Sequence, residues 1–188
     1  MAGKLSRVRN VLLNEVNWPL VIVCPDKAKT SEFVKIISSN KFIRVVYYNS
    51  RAAPDGCWEL WLMKHGLVSP PAQTVTTVAL GVGIILGYSE ILLLGADSSM
   101  HTMMHVNQKT NEMYLGNEHF YGKNNEKSYT DPAETTAVTV GYWLKCVSKM
   151  FLGYEKINAL AKYCGVKVVN ASSFSWIDSL DRPHEECN

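Results

Sequence analysis

Apolar residues along the chain alternate between runs typical of strands and spacings typical of helices. Residues 20–24 form a short β-branched apolar run ended by Pro25 and Asp26, the pattern of a strand buried on both faces. The next stretch, 27–39, places its apolar residues at helical spacing, and residues 43–48 again have the pattern of a strand. Strand, helix and strand in this order predict a parallel crossover.

The middle of the chain is predicted to hold two helices and the central strand. Residues 58–63 are rich in aromatic side chains, and residues 73–86 form an apolar helix that ends at Gly87, a favoured residue just beyond a helix end. Residues 90–95 have the pattern of the central strand. Because both helices are apolar on all sides, we expect them to be buried. The glycines in 81–87 lie within a helix, which excludes a dinucleotide-binding loop and favours close packing of that helix on the sheet.

A long polar segment follows, and then the clearest helix boundary of the chain. Residues 96–130 have no periodicity, and because a loop of this length in a compact domain is usually functional, we expect a lid or active-site loop. Residues 131–152 begin with an Asp-Pro pair, which predicts a capped helix over that range. A further helix over 154–164 and a last strand over 166–170 follow.

These elements predict a single α/β domain over residues 1–188, with three layers and a mostly parallel sheet of about four or five strands. In such sheets, ligands bind outside the carboxyl ends of the strands. This rule selects four segments, which we expect along one edge of the sheet. They are residues 25–26, 49–51, 95–99 and 170–173.

Asp97 is the most informative of these positions. Gly95 permits a sharp turn, and an aspartate directly after a buried strand is placed to bind a hydroxyl, an amine or a metal ion. The alternative is that the carboxylate only caps its own turn. The adjoining long polar segment favours a site, since binding residues are concentrated on loops.

Histidines in the polar segment add two further hypotheses. His101 and His105 are four residues apart and, with Asp97 or His119, suit a metal site on a helix, although solvated loop histidines are the commoner outcome of this spacing. His119 and Tyr121 combine an imidazole that titrates near neutral pH with a phenol, which suits a general base or acid and an orienting hydroxyl. The alternative is an aromatic anchor that holds the segment to the core.

Composition and charge narrow the classes of function. The 188 residues are 47% hydrophobic and carry 19 Lys and Arg against 17 Asp and Glu, with a net charge of +2 and no basic stripe, so nucleic acid is not an expected partner. The longest apolar stretches, 77–86 and 91–96, are shorter than a membrane span, and residues 1–15 lack a signal-peptide pattern, so we expect a cytoplasmic protein. The five cysteines form no C-x-x-C pair and are expected to be free, mostly buried thiols.

Three segments, taken together, resemble bacterial surface-polysaccharide biosynthesis proteins related to the lipooligosaccharide sialyltransferases. The segments are Leu-Gly-Tyr-Ser-Glu-Ile-Leu-Leu-Leu-Gly-Ala-Asp at 86–97, Glu-His-Phe-Tyr-Gly at 118–122, and Asn-Ala-Ser-Ser-Phe-Ser-Trp-Ile-Asp at 170–178. The resemblance covers roughly residues 74–178. It implies a Rossmann-like fold and the transfer of a sugar from a cytidine-monophosphate sugar to a glycan hydroxyl, without a metal cofactor.

The same resemblance implies residue roles and a biological setting. It implies that His119 and Tyr121 are catalytic, near the departing phosphate. The residues that it implies for substrate binding are Thr74, Asp97, Ser98 and Ser99. The setting would be capsule or lipopolysaccharide synthesis, with a nucleotide sugar and a glycan acceptor as partners, and with the inner membrane surface or a second copy of the chain as further contacts.

The chain also departs from that family. Ser99 and Val75 stand where the family has a tyrosine and a serine, and no Asn-Gly-Pro-Ser phosphate-binding turn precedes Leu20, so the nucleotide-binding N-terminal half is expected to be missing. Two alternatives stay open: a non-catalytic or degenerate relative, and a magnesium-dependent diphosphotransferase on the same fold. Trp58 and Trp61 are the expected surface for self-association.

Overall fold

The computed structural model describes residues 2–69, 73–119, 122–128 and 138–183. It is a mixed α/β structure with small sheets, in which the chain forms two compact units, Met1–Ser69 and Pro70–Asn188. We describe each unit by itself. A single domain over residues 1–188 stays a prediction.

The first unit is built on a parallel pair of strands. Its elements are α1 (Ala2–Asn14), β1 (Leu20–Pro25), a 3₁₀ helix (Asp26–Thr30), α2 (Glu32–Ile37), β2 (Ile43–Tyr48) and α3 (Glu59–Lys64). Leu20 pairs with Ile43, and the parallel register continues to the ends of both strands, which confirms the predicted crossover. The helix expected over 27–39 is divided at Ser31, because this residue is extended and its Oγ accepts the N–H of Val34 at 3.2 Å as an N-cap.

The burial expected in this unit is wrong at two places. Val21 and Val23 on β1 are exposed, Val21 by 57%, because successive side chains of a strand face opposite sides and only the side of Leu20 and Ile22 is partly covered. On α3, Met63 is buried. The neighbouring Trp58, however, is 67% exposed. An apolar run therefore predicted the elements correctly but not how many of their faces are covered.

The second unit combines a parallel pair with a small antiparallel sheet. Its elements are α4 (Val75–Ile85), β3 (Glu90–Leu93), a 3₁₀ helix (Met100–Met103), β4 (Met104–Val106), β5 (Met113–His119), β6 (Gly122–Ser128), α5 (Val140–Cys164) and β7 (Lys167–Asn170). β3 pairs in parallel with β7, and β4, β5 and β6 form an antiparallel sheet in that order. The two predicted strands over 90–95 and 166–170 are thus confirmed as a parallel pair.

The segment predicted as a long loop over 96–130 contains the antiparallel sheet. Apolar side chains on β4 and β5, including Met104 and Leu115, pack against a core cluster that includes Met113 and Trp143. The β4–β5 connection turns where the backbone of Asn111 has a φ of +55°. The prediction of an irregular loop failed because each alternating apolar stretch is very short and polar residues separate them.

Helix α4 packs with one face only. Thr77, Leu80, Gly81 and Ile84 are its buried residues, at the spacing of a single helix face. Val75 at its start is 85% exposed, so the expectation of burial on all sides is wrong.

The expected close packing of α4 on the sheet is confirmed at Gly83. A Cβ atom at this position would lie 2.9 Å from Cδ1 of Ile91 on β3. The helix ends as predicted before Gly87, which has a φ of +83°.

Helix α5 is continuous over 25 residues, where two helices were predicted. Its buried residues, among them Met150, Gly153, Tyr154 and Ile157, form an unbroken face that passes through the expected break at Gly153. Thr139 is the N-cap, and its hydroxyl accepts the N–H of Tyr142 at 3.2 Å. The helix start predicted at 131–132 lies outside the described residues.

Two expectations from composition can be compared with the described residues. No helix in these ranges combines the length and apolarity needed to cross a bilayer. The four cysteines in the described ranges are free, as predicted, but none is fully buried: Cys57 is exposed and Cys24, Cys146 and Cys164 are half-buried.

Asn40 joins α1 to the β1–β2 crossover. Its Nδ2 donates to the carbonyls of Leu12 at 2.8 Å and Val16 at 2.9 Å, and its Oδ1 accepts the N–H of Phe42 at 2.9 Å. These bonds satisfy carbonyls at the C-terminal end of α1, which a helix leaves without partners of its own.

We predict that Asn40→Ala lowers the free energy of unfolding by about 1–3 kcal/mol, because half-buried backbone groups lose their partner. Urea unfolding followed by circular dichroism measures the change. Ser39→Ala is the matched control, since its exposed hydroxyl bonds only the carbonyl of Ile36, and it should cost less than about 0.5 kcal/mol. Equal stability of the two variants would show that Asn40 does not anchor α1.

Candidate functional site

The carboxyl ends of β3 and β7 are joined through Asn170, the last residue of β7. Its side chain is fully buried. Its Nδ2 donates to Oγ of Ser175 at 2.9 Å, and its Oδ1 accepts the N–H of Ser172 at 3.2 Å. A buried carboxamide with both ends bonded fixes the course of the chain after β7.

The two serines in turn hold the turn after β3. Oγ of Ser172 accepts the N–H of Ala96 at 3.0 Å, and Oγ of Ser175 donates to the Ala96 carbonyl at 2.6 Å. The N–H of Trp176 donates to the Asp97 carbonyl at 2.8 Å. Segments 95–99 and 170–173, selected from the sequence, therefore lie together. We call this set of bonds the Asn170 clamp.

Arg182 is a member of the clamp that sequence reasoning missed. Its Nη1 donates to the carbonyls of Asn170 at 3.0 Å and Ser172 at 2.7 Å. An arginine in a polar tail carries no pattern that would reveal this role, because its partners are backbone oxygens brought near it by the fold.

Asp97 has the geometry of the turn-capping alternative. Its Oδ2 accepts the hydroxyl of Ser99 at 2.8 Å, and its side chain is exposed. Ser98 between them has a φ of +53°, a left-handed conformation that is uncommon for a residue with a side chain. The Ser98 hydroxyl lies 3.4 Å from the hydroxyl of the buried Tyr154. Asp97, Ser98 and Ser99 thus form a hydrogen-bonded turn.

A cavity of about 220 Å³ lies beside this turn. Of the four predicted substrate-binding residues, Thr74 lines this cavity. Asp97, Ser98 and Ser99 are not among its lining residues, although Met100, which directly follows Ser99, is one of them. The remaining lining residues are Gln73 and five residues of α5, namely Tyr142, Trp143, Cys146, Val147 and Met150. Sequence reasoning identified Thr74 but none of the α5 residues.

The starts of two helices face this region. The first turns of α4 and α5 both border the cavity, through Thr74 and Tyr142. Thr74 is the N-cap of α4, and Thr139 is the N-cap of α5. Helix N-termini carry partial positive charge and free N–H groups, which favours an anionic ligand outside the cavity.

His101 is packed among aromatic rings, contrary to the expectation of a solvated loop histidine. Its ring centroid lies 4.4 Å from that of Trp176 and 5.8 Å from that of Phe151, both in edge-to-face geometry. Its Nδ1 is buried without a hydrogen-bond partner in the described part of the chain. The 3₁₀ helix that carries His101 places it against α5.

The helical metal site suggested by His101 and His105 is not formed. His105 lies on β4, where its ring stacks on Tyr114 with centroids 5.4 Å apart. Within the described ranges, no three His, Cys, Asp or Glu side chains are grouped as metal ligands. The four-residue spacing predicted a shared helix face, but the chain changes from a 3₁₀ helix to a strand between the two residues.

The predicted catalytic pair is described only in part. His119 is the last residue of β5, and its Cα is paired with that of Gly122 on β6. The side chain of His119, and Tyr121 entirely, lie outside the described residues. Their catalytic roles stay predictions.

The ends of β1 and β2 in the first unit are held by Asp26. Its Oδ1 accepts the N–H of Ser50 at 3.1 Å, the hydroxyl of Ser50 at 2.5 Å and the N–H of Lys27 at 3.0 Å. The bonds from Ser50 lower the pKa of Asp26 below its ordinary value. Burial, with the nearby Asp26 charge, raises the pKa of Tyr48. Segments 25–26 and 49–51 therefore meet, as predicted.

No protein-family model, curated protein or solved structure matches this chain.

Loss of the Asn170 side chain should destabilise the second unit. Asn170→Ala leaves the N–H of Ser172 without its partner and removes one of the donors to the Ser175 hydroxyl oxygen, and we expect the free energy of unfolding to fall by about 1–3 kcal/mol. Urea unfolding provides the measurement. Ser173→Ala, at an exposed neighbouring position, is the control and should be neutral within about 0.5 kcal/mol. A neutral Asn170→Ala variant would contradict the clamp.

The lowered pKa of Asp26 predicts a pH-dependent contribution to stability. The charged carboxylate stabilises the fold above its ordinary pKa of 3.8, and this contribution disappears as the pH falls from there through the lower folded-state pKa. Asp26→Asn should therefore lower Tm near neutral pH, and the difference from wild type should shrink toward about pH 3. Thermal unfolding at several pH values tests this. Asp178→Asn, at an exposed position of the second unit, is the control, and a Tm difference for Asp26→Asn that is constant with pH would refute the prediction.

Proposed function

We propose that this chain is a glycosyltransferase-like protein of the sialyltransferase type, acting in bacterial capsule or lipopolysaccharide biosynthesis. It would transfer a sugar from a nucleotide-sugar donor to a glycan hydroxyl. The observation that carries the proposal is the cavity lined by Thr74 and by Met100, the residue directly after the turn of Asp97, Ser98 and Ser99. Thr74 and the three residues of this turn are the ones that the resemblance assigns to substrate binding.

The position of the cavity supports this proposal independently of the resemblance. It is lined by the N-cap of α4, the helix that leads into β3, and by Met100 in the segment that follows β3. In α/β proteins, ligands bind in the region beyond the carboxyl ends of parallel strands. The partial positive charge at the starts of α4 and α5 suits the phosphate of a cytidine-monophosphate sugar. We also propose the finer fold, a three-layer Rossmann-like arrangement with a sheet of about four or five strands, which the parallel pairing within each unit supports.

The proposed reaction is a direct displacement. The acceptor hydroxyl oxygen forms a bond to the anomeric carbon of the donor sugar while the bond from that carbon to the phosphate oxygen breaks, and cytidine monophosphate leaves. His119 would either remove the acceptor proton or protonate the leaving phosphate, and Tyr121 would orient that phosphate. The reaction so written requires no metal ion. The protein would act in the cytoplasm, at the periphery of the inner membrane.

The proposal predicts that His119→Ala abolishes donor-dependent sugar transfer in a folded protein. Loss of a general acid or base usually lowers the rate by about 10²–10⁴-fold. Transfer from a cytidine-monophosphate sugar to a glycan acceptor is followed by release of cytidine monophosphate. Circular dichroism confirms that the variant is folded. His65→Ala, in the first unit, is the control and should retain transfer.

The outcomes distinguish the three candidate functions. Full transfer by His119→Ala removes this histidine from the mechanism. Absence of both transfer and nucleotide binding in the wild-type protein would favour a non-catalytic relative. Magnesium-dependent diphosphate transfer without sugar transfer would favour the diphosphotransferase.

A further inference from the structure

Charge is divided unequally between the two units of the chain. Residues 1–69 contain ten Lys and Arg against five Asp and Glu, whereas residues 70–188 contain nine against twelve. With neutral histidines, the first unit therefore has a net charge of +5 and the second a net charge of −3. An asymmetry of this kind indicates that the basic half contacts a polyanionic surface, which is either a nucleic acid or an anionic membrane.

The basic unit also exposes tryptophan on one side of α3 and the turn before it. Cys57, Trp58, Trp61 and Lys64 are exposed and recur at spacings of three and four residues, so they share one side of the helix, away from the buried Met63. Trp58 is 67% exposed and Trp61 is 41% exposed. We call these four residues the Trp58 face. Large apolar side chains grouped at a surface mark a contact with another protein or with a membrane.

The geometry of the rings disfavours a single-stranded nucleic acid on this face. Trp58 and Trp61 meet edge to face, with centroids 6.2 Å apart and an angle of 84° between the planes. The Trp61 ring also packs against His65, at a centroid distance of 4.5 Å. Successive bases of a single strand stack on the flat faces of aromatic side chains. Two perpendicular neighbouring rings do not provide successive faces for such a strand.

Charge disfavours a second copy of the chain on this face. A two-fold contact brings the same surface of both copies together. Both copies would then bring Lys64 and a unit of net charge +5 to one interface. Like charges that face each other oppose association.

An anionic bilayer surface suits both the rings and the charge. Tryptophan is enriched at the level of the lipid headgroups, because its ring is apolar and its N–H is polar. Anionic headgroups attract Lys and Arg that come within about a Debye length of the surface. Lys64 lies three residues from Trp61 on the same side of α3, so both kinds of contact can form at once.

We propose that the Trp58 face docks the first unit on an anionic membrane surface. Trp58 and Trp61 lie at the level of the headgroups, and Lys64 contacts lipid phosphates. The proposal rests on the proposed function for the membrane periphery as the place of action, and it adds the surface that makes the contact. The contact is reversible, because interfacial side chains bind far more weakly than a spanning helix.

Binding of the full chain to vesicles is measured by sedimentation, with phosphatidylethanolamine vesicles that contain or lack phosphatidylglycerol. We expect binding only to the vesicles with phosphatidylglycerol. This binding should weaken as salt is raised from about 0.1 M to about 1 M, because the Debye length shortens from about 10 Å to about 3 Å. Equal binding to both kinds of vesicle, or to neither, would overturn the proposal.

Two tryptophan variants locate the contact on the chain. The double variant Trp58→Ser and Trp61→Ser should lower the partition coefficient by at least about tenfold, because it removes both interfacial rings. Trp18→Ser is the matched control, since Trp18 is a 52% exposed tryptophan of the same unit outside the Trp58 face. Equal weakening by the control and the double variant would refute the assignment to this face.

Two charge reversals test the position of Lys64. Lys64→Glu and Lys35→Glu change the net charge equally, and Lys35 is exposed on α2. We expect Lys64→Glu to weaken vesicle binding several-fold more than Lys35→Glu, because attraction to the headgroups falls off within about a Debye length. An equal effect of the two variants would mean that only net charge matters and would refute the docked face.

Cys57 reports on the same face in the wild-type protein, which keeps the test valid if the double variant does not fold. The rate of alkylation of Cys57 by iodoacetamide is measured by mass spectrometry with and without the anionic vesicles. When about nine-tenths of the protein is bound, the Cys57 rate should fall about tenfold. Cys146, half-buried in the second unit, is the internal control and should react at an unchanged rate. An unchanged Cys57 rate in vesicle-bound protein would overturn the proposal.

The other partners and the enzyme are tested separately. Binding of oligouridylate that the double tryptophan variant abolishes would replace the membrane with a nucleic acid. A dimer in sedimentation equilibrium that the same variant disperses would replace it with a second copy. Vesicle binding through the Trp58 face without sugar transfer would support the surface and refute the enzyme, and sugar transfer without vesicle binding would do the reverse.

Discussion

The buried carboxamide of Asn170 is the interaction on which the candidate site depends. Desolvating an amide is unfavourable unless both its donor and its acceptor are bonded, and here Ser175 and Ser172 provide these bonds. The same two serines hold the backbone of Ala96. One buried side chain therefore fixes the ends of two parallel strands and the turn that borders the cavity.

The polar side chains at the ends of β3 and β7 form two groups: those that bond the backbone and those that bond another side chain of the same turn. The hydroxyls of Ser172 and Ser175 bond backbone atoms, and the Asp97 carboxylate bonds the Ser99 hydroxyl within its own turn. The cavity beside this turn is lined mostly by apolar side chains. Small-molecule sites are usually lined by apolar side chains with a few polar groups nearby, and this cavity and the polar edge beside it have that composition. Because the polar side chains of this edge bond other groups of the protein, polarity alone is a poor guide to which residues bind a ligand.

The secondary structure was predictable where the apolar pattern is long or ends at a clear signal. The strands near residues 20–24 and 166–170, and the end of α4 before Gly87, agree with their patterns. The pattern failed for the short strands within 96–130, and it predicted a break at Gly153 that the continuous buried face of α5 does not have. Packing against neighbouring elements overrides local sequence signals as weak as a single glycine or a strand of a few residues.

The sequence by itself determined the α/β class and the parallel pairing, because these follow from periodicity and chain order. It also selected Thr74, which lines the cavity. Only the tertiary structure decided that the start of α5 completes the cavity, that Arg182 joins the clamp and that His101 is enclosed by aromatic rings. These contacts join residues far apart in the chain, and no local pattern specifies which distant side chains will meet.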